Sequence, residues 1–259
     1  MEIKILELSE REIRFIVKGI THAFASALRR TILSEVPTMA IYEIEVKKND
    51  SVLPDEIIAH RLGLVPLTFD PYFYNLPEKC SCKGKGCARC QVKLLLKKKG
   101  PAMVYSGDLK STAKDVRPVF DKIPIVELFN DEEIELVATA KLGFGKDHAR
   151  WQGGIVGYRN LAKIKVGDVK NPEEVVRWCP KNVFKIENGK LKVVDELSCN
   201  LCNKCVELTD GAISVTPVED TFIFYVESAC GLNVVDLIKL AIKTLKEKVV
   251  ELREKVDKV

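Results

Sequence analysis

The sequence predicts an α+β protein, a sheet-rich body carrying a small cysteine module. Three observations carry that expectation. Runs of alternating apolar and charged residues recur along most of the chain. One long helix with a sustained apolar seam closes it. Nine cysteines fall into two sets of four, with Cys230 alone. At 259 residues the chain has room for about two domains. With 46% hydrophobic residues it can build a core without disulfides. Collagen-like, disordered and coiled-coil-only classes are excluded. No apolar run approaches the ~18 residues of a membrane span. The start, Met1-Glu2-Ile3-Lys4, has no signal-peptide core, so a soluble cytoplasmic protein is expected. Forty-one basic residues against 37 acidic leave +4, too balanced to make nucleic-acid binding the default. Two Gln beside abundant Lys and Glu lean toward a thermophile composition.

The elements follow in chain order. Ile3, Ile5 and Leu8, then Ile13, Phe15 and Val17, predict a hairpin of two half-buried strands turning near Ser9-Glu10. Thr21 is placed to cap a helix running to about Val36, stopped by Pro37. The apolar face of that helix is Phe24, Ala27, Leu28, Thr31 and Ile32. Ile41, Ile44 and Val46 predict a strand. Pro54, Asp55 and Glu56 open a short helix that His60 and Arg61 close, with Gly63 following as its C′ residue. A Cys, Gly and Lys loop at 77–91 leads into a strand at Val92–Leu96. Strand-like runs fill 102–141, and 143–154 is Gly-rich and irregular. Residues 166–217 read as a separate module with an Asn188-Gly189 turn. Thr221–Val226 is a strand, and a helix runs from Asn233 nearly to the end.

That last helix has the clearest period. Val235, Ile238, Ile242, Leu245, Val249, Leu252 and Val256 alternate steps of three and four, an a/d seam. The seam can pack on the helix's own sheet or meet a partner. Its last three turns, near Lys246–Lys258, have few local residues to hide them, which favours the partner.

The first cysteine set is Cys80-x-Cys82-x4-Cys87-x2-Cys90. Four thiolates within eleven residues can close a tetrahedral zinc site, structural because no position stays open to water. Gly84 and Gly86 permit the tight loop, and Lys79, Lys83, Lys85 and Arg89 offset its negative charge. Two local disulfides or free thiols are the alternative. The second set is Cys199-x2-Cys202-x2-Cys205 with Cys179-Pro180 upstream. Two-cluster ferredoxins repeat C-x2-C-x2-C-x3-C-P, and the fourth Cys of each run ligates the other cluster. Here Thr209-Asp210 replaces one Cys-Pro, and Val169, Pro172 and Val175 replace the other triple. Cys179, Cys199, Cys202 and Cys205 are thus the complete ligand set of one cluster, four-iron (4Fe–4S) or three-iron (3Fe–4S). A disulfide-stapled module without iron is the alternative.

Other patterns are weaker. Gly143-x-Gly145-Lys146 lacks the spacing of a phosphate loop. His22, His60 and His148 are scattered and suggest no catalytic triad. Lys97-Lys98-Lys99 reads as a solvated strand end, and Cys230 as a buried small hydrophobe.

Two stretches resemble one family. Phe24-Ala25-Ser26-Ala27-Leu28-Arg29-Arg30-Thr31-Ile32-Leu33-Ser34-Glu35-Val36-Pro37 is similar to the first helix of the RNA polymerase alpha-type subunits. Asp55-Glu56-Ile57-Ile58-Ala59-His60-Arg61-Leu62-Gly63-Leu64-Val65-Pro66-Leu67 resembles their second signature. The final strand and helix resemble the rest of their dimerisation domain, and the ferredoxin-like insertion narrows the likeness to the archaeal D-type subunits. The resemblance implies a discontinuous dimerisation domain over 1–46 and 220–259. It implies a mostly β insert domain over 47–165, with the cysteine loop at 79–91, and a ferredoxin-like cluster module over 166–219. It implies a heterodimer with the smaller subunit L through Phe24, Leu28, Arg29, Arg30, Ile32, Ile238, Ile242, Leu245, Val249 and Leu252. That heterodimer would be the platform for the large catalytic subunits and for subunits N and P. The catalytic carboxylates would lie in the large subunits, so no catalytic residue and no direct DNA contact are expected here. At least one of Arg29 and Arg30 should project toward a large subunit.

Two other functions compete. A ferredoxin-like redox protein would use the module alone, yet carriers rarely bear some 200 non-redox residues, more than a typical domain. A zinc-dependent nucleic-acid binder would show a basic stripe with interleaved aromatics, and aromatics are 7% and dispersed.

Overall fold

The computed structural model describes residues 1–258. The chain divides into two compact units. One comprises residues 1–8, 13–26 and 157–225, the other 9–12, 27–156 and the residues from 226 onward. Among the described residues no helix is long and apolar enough to cross a membrane.

The first unit is organised by a four-stranded sheet. Strands β1 (Glu2–Leu8) and β2 (Glu12–Lys18) form the expected antiparallel hairpin. With β9 (Gly154–Val166) and β12 (Ile213–Ser228), the spatial order is β1-β2-β12-β9. Phe15 stacks on Phe224 at 5.3 Å between ring centroids, and Tyr158 stacks on Phe224 at 5.4 Å. These rings tie three strands together on one face. The hairpin departs from expectation in one respect. Ile13, Phe15 and Val17 of β2 are buried, but Ile3, Ile5 and Leu8 of β1 are exposed, so β1 is not half-buried. Ile3 pairs with Val17 and Ile5 with Phe15, which puts all four on the same sheet face. The apolar face therefore continues onto an edge strand that the chain itself leaves uncovered.

The cysteine module hangs on β9 and β12. It adds α3 (Pro172–Trp178), the hairpin β10 (Phe184–Glu187) and β11 (Lys190–Val193), and α4 (Lys204–Leu208). Asn188 and Gly189 both take left-handed conformations, as a two-residue hairpin turn requires. Ala162, Val175, Val183, Phe184, Leu191, Cys199 and Ile213 form a small core of its own.

The second unit holds a sheet ordered β3-β8-β4-β6, from β3 (Thr38–Asn49), β4 (Gln91–Lys99), β6 (Lys110–Ser111) and β8 (Glu133–Gly143), all antiparallel. The strands β5 (Ala102–Tyr105) and β7 (Pro124–Leu128) pair beside it. Alternation is strict where one face is buried: Val92, Leu94 and Leu96 on β4, and Ile134, Leu136, Ala138, Ala140 and Leu142 on β8. The lysine run at 97–99 is more engaged than a solvated strand end. Lys97 pairs with Glu135, and Lys98 reaches Asp108 at 2.6 Å. Helix α2 (Asp55–Gly63) buries Ile58 and Leu62, and Arg61 Nη1 donates to the Ile125 carbonyl at 2.6 Å. Gly63 is the last helical residue rather than the expected C′, and Leu64 caps in a right-handed conformation. A Cβ at Gly63 would meet the Ile41 carbonyl and Arg150 at 3.4 Å, an ordinary contact.

Two helices bear the residues expected at an interface. Helix α1 (His22–Ser34) starts with the Phe24 N–H donating to Thr21 Oγ1 at 3.3 Å. It buries Ala25, Leu28, Thr31 and Ile32, while Ala27 is half-buried and Phe24 is 42% exposed. Helix α5 (Val234–Val256) is capped by Asn233, whose side-chain oxygen accepts from the Asp236 N–H at 2.8 Å. Its buried stripe is Val234, Leu237, Leu240 and Ala241. The stripe read from the sequence lies elsewhere on the helix. Ile238 and Leu245 are half-buried, while Ile242, Val249 and Leu252 are 51%, 66% and 64% exposed.

Candidate metal centres

The first centre is local. A 3-10 turn at Pro77–Lys79 delivers Cys80, and Cys90 stands immediately before β4. Between them the chain reverses through Lys83, Gly84 and Gly86, all at positive φ. This brings four sulfurs together, every pair within 4.8 Å. Cys80–Cys87, Cys80–Cys82 and Cys82–Cys90 are each 3.5 Å apart, and Cys87–Cys90 is 3.9 Å. A tetrahedral ion with ~2.3 Å metal–sulfur bonds needs sulfurs about 3.8 Å apart. The Cys87 N–H also points at the Cys90 sulfur at 3.3 Å. Burial pushes the Cys82 thiol up, but hydrogen bonds from Cys90, Cys80, Cys87 and the Gly86 backbone outweigh it and bring it down to about 6. Burial holds Cys90 up, at about 12. One thiol thus ionises readily and the others surrender their protons when a cation arrives. The donor set and spacing fit a single soft or borderline cation.

The second centre is assembled from distant segments. Cys179 follows α3, Cys199 follows the turn Glu196–Ser198, Cys202 lies in the loop beyond, and Cys205 is in α4. All four line one small cavity of ≈ 20 Å³. Among the described residues only the first set has its ligand atoms mutually within 4.8 Å, so the second set is spread too widely for one ion. Cys199 is buried, Cys179 and Cys205 are half-buried, and Cys202 is exposed. Burial raises both the Cys199 and Cys205 thiols. Backbone groups face the sulfurs: Leu201 N–H toward Cys199, Val206 N–H toward Cys205, and Val183 N–H to Cys179 at 3.5 Å. Leu201 and Asn203 take left-handed conformations, φ 60° and 58°. For leucine that costs about 1–2 kcal/mol. Four thiols are the donor type of a thiolate-ligated cluster. All nine cysteines are free thiols, and Cys230 is buried against Ser228.

The other candidates have structural roles. Lys146 pairs with Glu35 at 3.4 Å, and a Cβ on Gly145 would strike the Leu33 carbonyl, so that loop is packed rather than open. His22 packs edge-on against Phe222, and His148 Nδ1 accepts from the Arg150 N–H at 3.1 Å. Of the residues expected at an interface, Leu28 and Ile32 are buried within the chain. Arg29 Nε donates to the Val156 carbonyl at 3.1 Å, and Arg30 is exposed. Sequence reasoning missed Arg14 and Arg159, which both donate to the Leu197 carbonyl beside the second centre. No motif contains them, and only the sheet brings them there.

Residues 43–154 match the family described as the RNA polymerase Rpb3/RpoA insert domain. Over nearly the whole length the chain is similar to proteins named DNA-directed RNA polymerase subunit Rpo3. The Methanosphaera stadtmanae protein is 40% identical, covering 96% of each chain. That of Methanothermobacter thermautotrophicus is also 40% identical, again over 96% of each. That of Thermococcus kodakarensis is 42% identical, over 96% of this chain and 95% of its own.

Proposed function

Because this chain belongs to the family of archaeal DNA-directed RNA polymerase subunit Rpo3, the same subunit the D-type motifs pointed to, we propose that it is a non-catalytic assembly subunit of that enzyme in the cytoplasm. Its role is to pair with the smaller alpha-like subunit L. The pair then carries the large catalytic subunits and subunits N and P. Residues 1–46 and 220–259 are the dimerisation domain, 47–165 the insert domain and 166–219 the cluster module.

The observation that carries this reading is the double-striped helix α5. One stripe is consumed by the chain's own core, and a second, through Ile242, Leu245, Val249 and Leu252, is left largely open. Burying each such side chain is worth about 1.5–3 kcal/mol. The uncovered apolar row of Ile3 and Ile5 on β1 and the exposed Phe24 of α1 support the same conclusion. Leu28 and Ile32 then hold α1 in place rather than touching the partner, and Arg30 is the better placed of the two arginines to reach a large subunit. A ferredoxin-like carrier accounts for none of these surfaces.

We assign one structural zinc ion to Cys80, Cys82, Cys87 and Cys90, supported by their single-ion spacing. Cys179, Cys199, Cys202 and Cys205 would hold one iron–sulfur cluster, supported by their lining of one pocket and by their ferredoxin-like spacing. When bound, the zinc fixes the 80–90 loop. The cluster cross-links α3 to the Cys199–Cys205 segment and adds a redox-sensitive centre. The test of pairing is Val249→Asp. Val249 lies outside the chain's own core, so the variant should fold as wild type. An unpaired charge in a buried seam costs several kcal/mol, and co-purification with the L-type subunit should be lost. Unchanged pairing would sink the assignment.

A further inference from the structure

The sheet of the first unit has a second face. Phe15, Tyr158 and Phe224 stack on one side, so strand alternation turns Arg14, Gly157, Arg159 and Ile223 to the other. Together with Tyr158 and Tyr225 these four line a groove of ≈ 260 Å³, far roomier than the ~30 Å³ of a water molecule. A Cβ on Gly157 would meet nothing within 4 Å, so the groove is open where that strand residue has no side chain.

Two guanidiniums line this groove and converge on one neutral acceptor. Arg14 Nη2 donates to the Leu197 carbonyl at 3.3 Å, and Arg159 Nη2 donates to the same oxygen. Arg159 Nη1 is buried with no hydrogen-bond partner among the described residues. The acids close by leave this surplus of positive charge largely uncompensated. Glu7 meets Arg14 at 3.4 Å with its own side chain 72% exposed, and such surface pairs contribute little. Asp195 accepts from the Ser198 N–H and hydroxyl, and Glu196 Oε1 accepts from the Ile164 N–H at 2.7 Å. Two cations held around one neutral oxygen repel each other, and an anion beside both turns that repulsion into attraction. Guanidinium forks match the paired oxygens of carboxylate and phosphate groups.

We propose that this groove is an oxyanion site, in which Arg14 and Arg159 bind a carboxylate or phosphate group in the space left by Gly157. The site depends on neither metal assignment. Its oxyanion comes either from a free inorganic ion or from an acidic side chain of a neighbouring polymerase subunit, and the chemistry of recognition is the same. Gly157 lies in the extended strand β9, so a larger side chain there fills the groove without disturbing either arginine.

The experiment has two arms. In the first, the full chain is treated with phenylglyoxal, which modifies accessible guanidiniums, and the labelling rate of each arginine is read by mass spectrometry. Added inorganic phosphate should slow labelling of Arg14 and leave the exposed Arg30 unchanged, with sodium chloride at equal ionic strength as the control. Gly157→Leu and Arg159→Gln should each raise the phosphate concentration needed by about tenfold or more, the loss expected for one charge-assisted contact. In the second arm, Arg14→Lys chain assembled with its polymerase subunits is treated with a zero-length carbodiimide, which joins an amine only to a carboxylate in contact. Coupling to Glu7 stays within the chain, so a product between chains through residue 14 reports a partner's acid. Phosphate protection without that product assigns a free ion, and the product without protection assigns a partner's carboxylate. Neither protection nor the product overturns the proposal. Protection by chloride equal to that by phosphate overturns the free-ion source, as does protection unchanged in Gly157→Leu, and the proposal then stands only on the product between chains.

Discussion

The two cysteine centres use the same four side chains in opposite ways. At 80–90 the ligands come from eleven residues of one loop, and the sulfurs close to 3.5–3.9 Å where they touch. At 179–205 the ligands come from two separate pieces of a small domain and line a small pocket instead of meeting. Loop-local spacing yields a site for one ion. Ligands borne on separately packed elements stand further apart and line a pocket instead. Sulfur spacing, not cysteine count, distinguishes the two.

The largest effect should come from Cys90→Ser. Cys90 is buried at the head of β4, and structural zinc in finger-type peptides is worth on the order of 10 kcal/mol. Elemental analysis should show zinc lost and iron unchanged, with protease cleavage appearing at 77–91. Zinc retained in this variant would break the single-ion assignment. Cys202→Ser should act more mildly, because Cys202 is exposed and three thiols can still hold a three-iron cluster. Iron should fall from about four to three or fewer per chain. Proteolysis should loosen residues 166–219, while zinc and pairing with the L-type subunit persist. Loss of zinc as well would show that the two centres are not independent.

The smallest effects test one aspartate in each region. Burial raises the Asp108 carboxyl, but Lys98 and the Tyr105 N–H lower it further, so it lies below its usual range. The Ser198 hydrogen bonds do the same for Asp195. A depressed folded pKa gives stability that is full above the unfolded value, about 3.9, and disappears as pH falls through the lower folded value. Asp108→Asn should therefore cost at most about 1 kcal/mol at pH 7 and nothing near pH 2 in urea melts. Asp195→Asn should show the same sign through proteolysis of the module alone. A larger loss at pH 2 than at pH 7 would reverse the argument.

Much of this was readable from the sequence. The grouping of the cysteines was legible: the structure brings Cys80, Cys82, Cys87 and Cys90 together, and Cys179, Cys199, Cys202 and Cys205 line one pocket. The helix seam followed from its period. Which stripe of α5 the chain consumes did not. Val234, Leu237 and Ala241 are as apolar as Ile242 and Val249, and only tertiary packing decides which face is covered. The exposure of β1 escaped for the same reason: alternation records that a face is apolar, not that something is there to cover it. Arg159 was invisible because its partner carbonyl lies 38 positions away, on a turn with no motif of its own.

The sheet of the first unit also sets an order of events during synthesis. The N-terminal hairpin emerges first, yet the Gly19 N–H is bonded to the carbonyl of Asp220, about two hundred residues later. At roughly 5–20 residues per second, that partner strand arrives about 10–40 s after the hairpin. During the wait Ile13, Phe15 and Val17 have no sheet to join, in addition to the edge that stays bare afterward. The 80–90 loop needs only its own eleven residues and can close while the ribosome is still working. The nascent chain thus ripens from its middle outward, and the sheet that joins the hairpin to residues near 220 is finished late.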